Sequence, residues 1–244
     1  TVTDVLIQNC HRCPETSHWT CLTGAITLEH MFDLLPAVDP DADESALVAA
    51  IRELEELKSA AAARQARLAV ALDVSRRRSE EAAGVPAVRR GRGVAVEVAL
   101  ARRESPARGG RYLGLAKALV REMPHTMAAL ERGVLSEWRA TLVVRESACL
   151  DVEDRRKLDQ ELCADTSGLD GMGDAALAAA AKVIACRLDP HAVVDRAAKA
   201  PEERTVTIRP APDTMTYLTA LLPMAQGVAV YAALKREADV CGDG

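Results

Sequence analysis

The chain has 244 residues, of which 49% are hydrophobic, 27% are charged and only 2% are aromatic. This composition excludes a chain that is disordered throughout, and it predicts a core built from Leu, Val and Ala. The net charge of −5 argues against a protein that coats nucleic acid over its whole surface. The seven cysteines are odd in number and mostly scattered, and no apolar run approaches the roughly 20 residues of a membrane span. We therefore expect a cytoplasmic protein with no membrane partner.

Charge is distributed unevenly along the chain. Residues 31–63 contain eight acids and two bases, whereas residues 64–112 contain twelve arginines and five acids. A strongly basic band therefore follows an acidic segment. If the protein binds nucleic acid, we expect the contacts to lie in this band.

Residues 1–30 differ from the rest of the chain. They hold three of the seven cysteines and three of the five histidines, and they contain no Met before Met31. We expect them to be a non-native N-terminal extension, with Met31 as the natural start. The alternative is a zinc site with ligands Cys10, Cys13, His18 and Cys21, but only one Cys-x-x-Cys pair is present, so we expect no metal and no cofactor.

Residues 31–75 are predicted to form a long N-terminal helix after an acidic lead-in. Asp43 or Ser45 is a suitable N-cap, and Leu47, Ile51, Leu54 and Leu57 begin an apolar stripe that continues toward Val74. Two interpretations stay open. In the first, the segment 46–74 pairs with a partner helix and mediates self-association. In the second, the helix lies along its own domain.

Ser75 to Arg92 is predicted to be a link without continuous helix, because it contains Gly84, Pro86 and Gly91. Its arginines are candidates for contacts with DNA phosphates, which add affinity but read no sequence. The alternative is that a coding bias toward arginine produced the cluster, which also contains two glutamates. The candidates are Arg76, Arg77, Arg78, Arg89, Arg90 and Arg92.

The stretch from Val94 to Leu150 predicts four short helices in a helix–turn–helix-like unit. Ser105 and Pro106 are suitable residues for the start of the second helix, and Gly133 is suitable for the end of the third. Ser136 is a suitable cap for the fourth helix. The core face of the fourth helix is predicted to contain Trp138, Leu142 and Val143. If the second helix enters a major groove, four arginines lie where base contacts are made. They are Arg102, Arg103, Arg108 and Arg111. The alternative is a helical hairpin with solvated arginines, since Gly109 and Gly110 weaken that helix.

The rest of the chain predicts two further helices, capped by Asp151 and started by Asp174, and then a small β-hairpin near residues 204–222. A C-terminal helix from Met224 to Ala238 is expected to pack on the hairpin. Asp189-Pro190 indicates a helix break and a cap. The predicted fold is mainly α, a multi-helix bundle with a helical core domain over residues 76–200 and the hairpin plus helix over 201–244.

Three segments carry a resemblance to a known family. They are MPHTMAALERGVLSEWRATLVVRE from Met123, Leu188-Asp189-Pro190-His191, and RTVTIRPAPDTMTYLTALLPMAQGVAVYAAL from Arg204. From Met31 onward the chain resembles a large actinobacterial repeat family whose members carry domain of unknown function 222, normally followed by a C-terminal HNH nuclease. The resemblance implies an N-terminal accessory region that is cut off before any nuclease domain.

No set of residues in the chain forms a nucleophile–base pair or a metal-binding motif, so we expect no catalysis by this chain itself. The resemblance and the basic band together favour a non-catalytic, DNA-binding accessory region of an HNH-endonuclease-type protein. The alternative is a non-enzymatic helical module for protein interaction or self-association, left by a mobile repeat element.

Overall fold

The computed structural model describes residues 38–242. The predicted N-terminal extension and its zinc alternative lie outside these residues. Within the described residues, the chain divides into two units at the boundary between Val48 and Ala49. The second unit is mostly helical with one two-stranded antiparallel sheet, which confirms the predicted mainly-α fold. No helix among the described residues is long and apolar enough to cross a membrane.

The helices and strands follow one another with short connections. Their bounds are α1 Glu44–Ala82, α2 Val94–Ala101, α3 Pro106–Arg121, α4 Pro124–Glu131, α5 Glu137–Glu146, α6 Val152–Cys163, α7 Asp174–Leu188, α8 Pro190–Lys199, β1 Thr205–Pro210, β2 Thr216–Leu221 and α9 Met224–Gly242. Three short 3-10 turns lie at Ala87–Arg89, Ser167–Leu169 and Ala200–Glu203.

Helix α1 is longer than the sequence predicted. Asp43 caps its start, since the carboxylate accepts the backbone N–H of Ala46 at 2.8 Å, as expected. The helix then continues to Ala82, so the prediction that the link begins at Ser75 is wrong. No glycine or proline lies between Glu44 and Ala83, and Gly84, whose φ is +74°, ends the helical path. The first three candidate arginines therefore lie on α1 and not in a loop.

The buried face of α1 is built from small side chains, not from the predicted leucine stripe. The stripe leucines and Ile51 are exposed, and among the predicted apolar residues only Val70 is buried. Small residues allow neighbouring helices to approach closely, which explains why this face meets the bundle. The buried residues of α1 are Ser59, Ala62, Ala63, Ala66, Ala69, Val70 and Asp73.

The four predicted short helices are confirmed as α2 to α5. Pro106 occupies the first turn of α3, Gly133 has a φ of +78° after α4, and the Ser136 hydroxyl accepts the backbone N–H of Arg139 at the start of α5. Leu142 is buried as predicted, but Trp138 is 56% exposed, so its placement in the core is wrong. Its indole N–H instead donates to the Asp174 carboxylate at 2.8 Å, which satisfies the polar end of the ring at the surface.

Two apolar clusters form the core of the bundle. The first joins α1, α2 and α3 and includes Val70, Val98 and Leu119. The second joins α4 to α7 and includes Leu158 and Leu177. Helices α4 and α5 contribute to both clusters, so they connect the two halves of the bundle.

A buried carboxylate ties α6 to the start of α4. Asp159, which is fully buried, accepts the backbone N–H groups of His125 and Thr126 at 2.8 and 2.7 Å and the Thr126 hydroxyl at 2.6 Å. It therefore caps a helix that is distant in sequence. His125 takes part in this cap through its backbone N–H.

The predicted hairpin is confirmed, but its predicted packing is wrong. β1 pairs with β2 in an antiparallel register that places Ile208 opposite Leu218. Every residue of both strands is exposed, and so are the large apolar side chains of α9, including Met224 at 86% and Tyr231 at 68%. The hairpin and the C-terminal helix were predicted correctly, but among the described residues they do not bury each other's apolar side chains.

Candidate nucleic-acid interface

The structure separates the ten candidate arginines into two groups. Arg76, Arg77 and Arg78 lie on the last turns of α1, near the connection that carries Arg89, Arg90 and Arg92. The other four lie at the connection between α2 and α3. Helix α2 separates the two groups, and its eight residues span about 12 Å. The ten candidates therefore fall at the two ends of α2.

The first group forms part of a larger surface that we call the basic corner. The Arg77 guanidinium lies against Gly91, within 2.9 Å of the position that a Cβ atom would occupy there. Arg90 bonds to the Glu81 carboxylate and to the carbonyl of Val85, and these contacts hold the connection against the end of α1. The basic corner consists of Arg76, Arg77, Arg78, Arg89, Arg90, Arg92, Lys117 and Arg121.

Asp73 lies at the centre of the basic corner. Its side chain is only 1% exposed, and it receives Arg77 at 3.1 Å, Lys117 at 2.9 Å and Arg121 at 3.8 Å. Burial opposes ionisation of Asp73, but the hydrogen bonds from Lys117 and Arg77 outweigh it and hold its pKa below the ordinary value. One buried carboxylate thus fixes three cations from two helices.

The sequence did not indicate Lys117 and Arg121 as members of this surface. They are four residues apart on α3 and therefore share one face of that helix. The available signal was Asp73, an acid that falls at the three- and four-residue spacing of the alanine face of α1. A carboxylate at a buried position requires cations nearby, and α3 supplies them.

Positive charge exceeds negative charge at the basic corner. Its eight cations are accompanied by four carboxylates, which belong to Asp73, Glu80, Glu81 and Glu97. Glu97 binds Arg76 at 3.0 Å, and Glu80 accepts the backbone N–H of Gly91 at 2.6 Å. Three of the arginines form no ion pair within residues 38–242, and all three are exposed. They are Arg78, Arg89 and Arg92.

Two of the four arginines in the second group are engaged by neighbouring side chains. Arg102 binds Glu137 at 2.7 Å, stacks over the ring of Tyr112 at 4.1 Å, and has a side chain that is only 17% exposed. Arg108 binds Glu104 through both carboxylate oxygens at 2.9 and 2.8 Å. Each contact uses one nitrogen of the guanidinium, and Arg108 stays 54% exposed, as Arg103 and Arg111 are exposed too.

Glu104 organises this connection. The Tyr112 hydroxyl donates to Glu104 at 2.9 Å, and this hydrogen bond, together with the charge of Arg108, lowers the pKa of the carboxyl. Burial and the same hydrogen bond raise the pKa of Tyr112. The connection between α2 and α3 is therefore held by an internal network of charged and polar side chains.

Comparison with known proteins places the chain in a family. A family model for a domain of unknown function matches residues 48–243, which is most of the chain. The chain belongs to this family, DUF222. No curated protein and no solved structure matches it. The DUF222 match covers nearly all of α1 and every later helix, so the basic corner lies within the family domain.

The DUF222 domain shows little enclosed space among its described residues. The cavity between α1, α2 and α3, beside Ala66 and Leu119, holds about 10 Å³, which is room for a single water molecule. Binding pockets for small molecules measure roughly 300–1,000 Å³. A larger but shallow hollow of about 570 Å³ lies open at the surface between α6 and α7, where Lys157, Glu161 and Arg187 are among the residues that line it.

Proposed function

We propose that this chain is a non-catalytic accessory region that binds duplex DNA through its phosphates, within a protein of the HNH-endonuclease type. The observation that carries the proposal is the excess of positive charge at the basic corner, where Arg78, Arg89 and Arg92 are exposed and form no ion pair within residues 38–242. Arginines of this kind replace counterions along the DNA backbone and give affinity without sequence preference.

The contacts of the second group of arginines disfavour recognition of DNA bases by these side chains. Arg102, whose side chain is only 17% exposed, would have to leave Glu137 before it could bind guanine, and Arg108 is held beside the negative charge of Glu104. For Arg102 the exchange would cost about as much as it provides, because a charge-assisted hydrogen bond is lost for the one formed. The proposed interface is therefore the basic corner, and the proposed recognition is of the backbone.

Salt dependence of DNA binding tests this proposal. Fluorescence anisotropy of the full chain with a random-sequence duplex is expected to show binding that weakens steeply with salt. Three to five phosphate contacts predict a loss of about 50- to 500-fold in affinity between 50 and 200 mM salt. Absence of binding at the lowest salt would overturn the proposal.

A triple variant assigns the binding to the basic corner. Combining Arg78→Ala, Arg89→Ala and Arg92→Ala is expected to lower affinity and to reduce the slope of log Kd against log salt by about three. The matched control removes three exposed arginines elsewhere, Arg132, Arg156 and Arg204, and so loses the same net charge. Equal losses in the two variants would show that net charge alone governs binding and would refute the assigned surface.

A second candidate function is a helical interaction module with no affinity for DNA. Exposed apolar side chains favour it, since Ile51 and Leu54 on α1 and the apolar face of the hairpin are uncovered within the described residues. The same anisotropy experiment separates the two functions, because an apolar interface responds little to salt and does not require DNA.

A further inference from the structure

Helix α1 has two apolar faces, and its own bundle covers one of them. The inward face is the alanine-rich face that surrounds Asp73. On the outward face, Ile51 is 68% exposed, Leu54 45%, Leu57 54% and Leu68 57%, and Leu72 follows one turn later. The larger apolar side chains of the helix thus point away from the bundle.

This distribution is the reverse of what a helix lying on a single core shows. A surface helix normally directs its largest apolar residues inward and charged residues outward, whereas a helix that is apolar on both faces is buried between partners. The spacing of Ile51, Leu54, Lys58, Ala61, Gln65, Leu68 and Leu72 alternates between three and four residues. This spacing is that of a coiled-coil seam.

The charge along α1 indicates which partner fits. From Glu44 to Lys58 the helix carries four acids and two bases, a net charge of −2. From Ser59 to Ser75, before the arginines of the basic corner, it carries Arg64, Arg67 and the buried Asp73, a net charge of +1. The helix is therefore complementary to a copy of itself that runs in the opposite direction. Parallel pairing would instead place the two positive halves side by side.

We propose that two copies of this chain pair through the outward faces of their α1 helices in antiparallel orientation. A pairing centred between Ser59 and Ala60 places Ile51 of one copy opposite Leu68 of the other. It also places Leu54 opposite Gln65, and Lys58 opposite Ala61. The apolar layers lie toward both ends and the smaller, polar layers lie in the middle. Such an interface is isologous and closes with two copies.

The dimer does not depend on DNA binding. The basic corner lies beyond the seam on each copy, near the end of α1, so it stays accessible in the pair. About 35 residues of helix separate Arg77 from the corresponding residue of the other copy, which amounts to about 50 Å. A dimer would therefore present two basic corners to one duplex, and failure of either proposal leaves the other standing.

Oligomeric state is the first test. Sedimentation velocity of the full chain without DNA is expected to show a dimer. The variant with Ile51→Glu and Leu54→Glu is expected to be a folded monomer that still melts cooperatively, since both positions are exposed in the single chain. The matched control introduces Val152→Glu and Val183→Glu, two exposed valines on α6 and α7, and is expected to remain a dimer. A monomeric wild type, or a dimer that survives the α1 substitutions, would overturn the proposal.

Cysteine cross-linking tests the orientation. In the variant with Ile51→Cys and Leu68→Cys, antiparallel pairing predicts an intermolecular disulfide between positions 51 and 68, identified by mass spectrometry of the linked peptides. The single variants are expected to form no disulfide between identical positions, because Cα atoms farther than about 7 Å apart cannot be bridged. A bond between two copies of position 51 would show a parallel pair and contradict the proposed arrangement.

Discussion

At the scale of single residues, Asp73 shows how one buried charge organises a surface. It interrupts the alanine face of α1 with a carboxylate that is 1% exposed, and three cations from α1 and α3 surround it. A carboxylate cannot remain ionised in the interior without such partners, so Lys117 and Arg121 are drawn to the end of α1. Three of the eight cations of the basic corner are thus placed by this one acid.

Replacing this acid is expected to reduce stability in a pH-dependent manner. Asp73→Asn should lower the free energy of unfolding at pH 7 by about 1–3 kcal/mol, since it leaves Lys117 and Arg77 without their charge partner and both are only partly buried. The pKa of Asp73 is depressed in the folded chain from its ordinary value of 3.8. Its contribution to stability is therefore complete above about pH 4 and is lost as the pH falls through the folded pKa.

Urea denaturation between pH 2 and pH 7 measures this effect. The stability difference between wild type and variant should be largest at neutral pH and should shrink below about pH 4. Glu131→Gln is the control, because its ion pair with Arg67 lies at the surface and contributes about 0.5 kcal/mol. A difference that does not change with pH would contradict the proposed role of the carboxylate.

At the scale of elements, the crossing of α2 and α3 explains two adjacent glycines that appeared unfavourable in the sequence. A Cβ atom on Gly109 would lie 2.0 Å from the carbonyl oxygen of Ala95, whereas one on Gly110 would meet nothing within 4 Å. Gly109 is therefore required for close approach of the two helices, and Gly110 only weakens α3. Their difference arises from the neighbouring helix and not from the local sequence.

The two glycines should respond in opposite directions to the same substitution. Gly109→Ala is expected to lower the free energy of unfolding by about 1–3 kcal/mol or more, because the backbone of α2 must move to accommodate the methyl group. Gly110→Ala is expected to raise it by about 0.5–1 kcal/mol through helix propensity. Chemical denaturation measures the free energy of unfolding of both variants. Changes of the same sign would contradict the role of Gly109 where α2 and α3 cross.

At the scale of the whole molecule, the core is concentrated in the middle of the chain. Among the described residues, the last fully buried apolar side chain is Ala185, and Val193 is the last that packs against the second cluster. The hairpin and α9 follow these positions and expose their apolar residues. Folding of the bundle should therefore not require them.

Truncation tests this division. A chain that ends at Arg204 is expected to keep its thermal midpoint within about 3 °C, the shift that roughly 1 kcal/mol produces in a domain of this size. A chain that ends at Gly173 lacks Leu177 and Ile184 of the second cluster and is expected to lose cooperative unfolding. Circular dichroism melting measures both, and a large loss in the longer chain would show that the C-terminal segment is part of the core.

Local chemistry accounts for the elements that were predicted correctly. Ser136 and Gly133 mark helix ends because a capping hydroxyl and a positive φ satisfy the backbone wherever a helix stops. The strand alternation around Ile208 likewise follows from the two-residue period of an extended chain. Such signals act over a few residues, so they could be read without knowledge of the fold.

The sequence alone therefore determined the mainly-α class, the caps and breaks of α2 to α6, and the hairpin with its position. The tertiary structure decided which face of α1 is buried, why Trp138 stays at the surface, and how the arginines divide into two groups. These features depend on which helices meet. Alanine forms the buried face of α1 because close packing selects small side chains, and Lys117 joins the basic corner because a distant carboxylate needs a counter-charge.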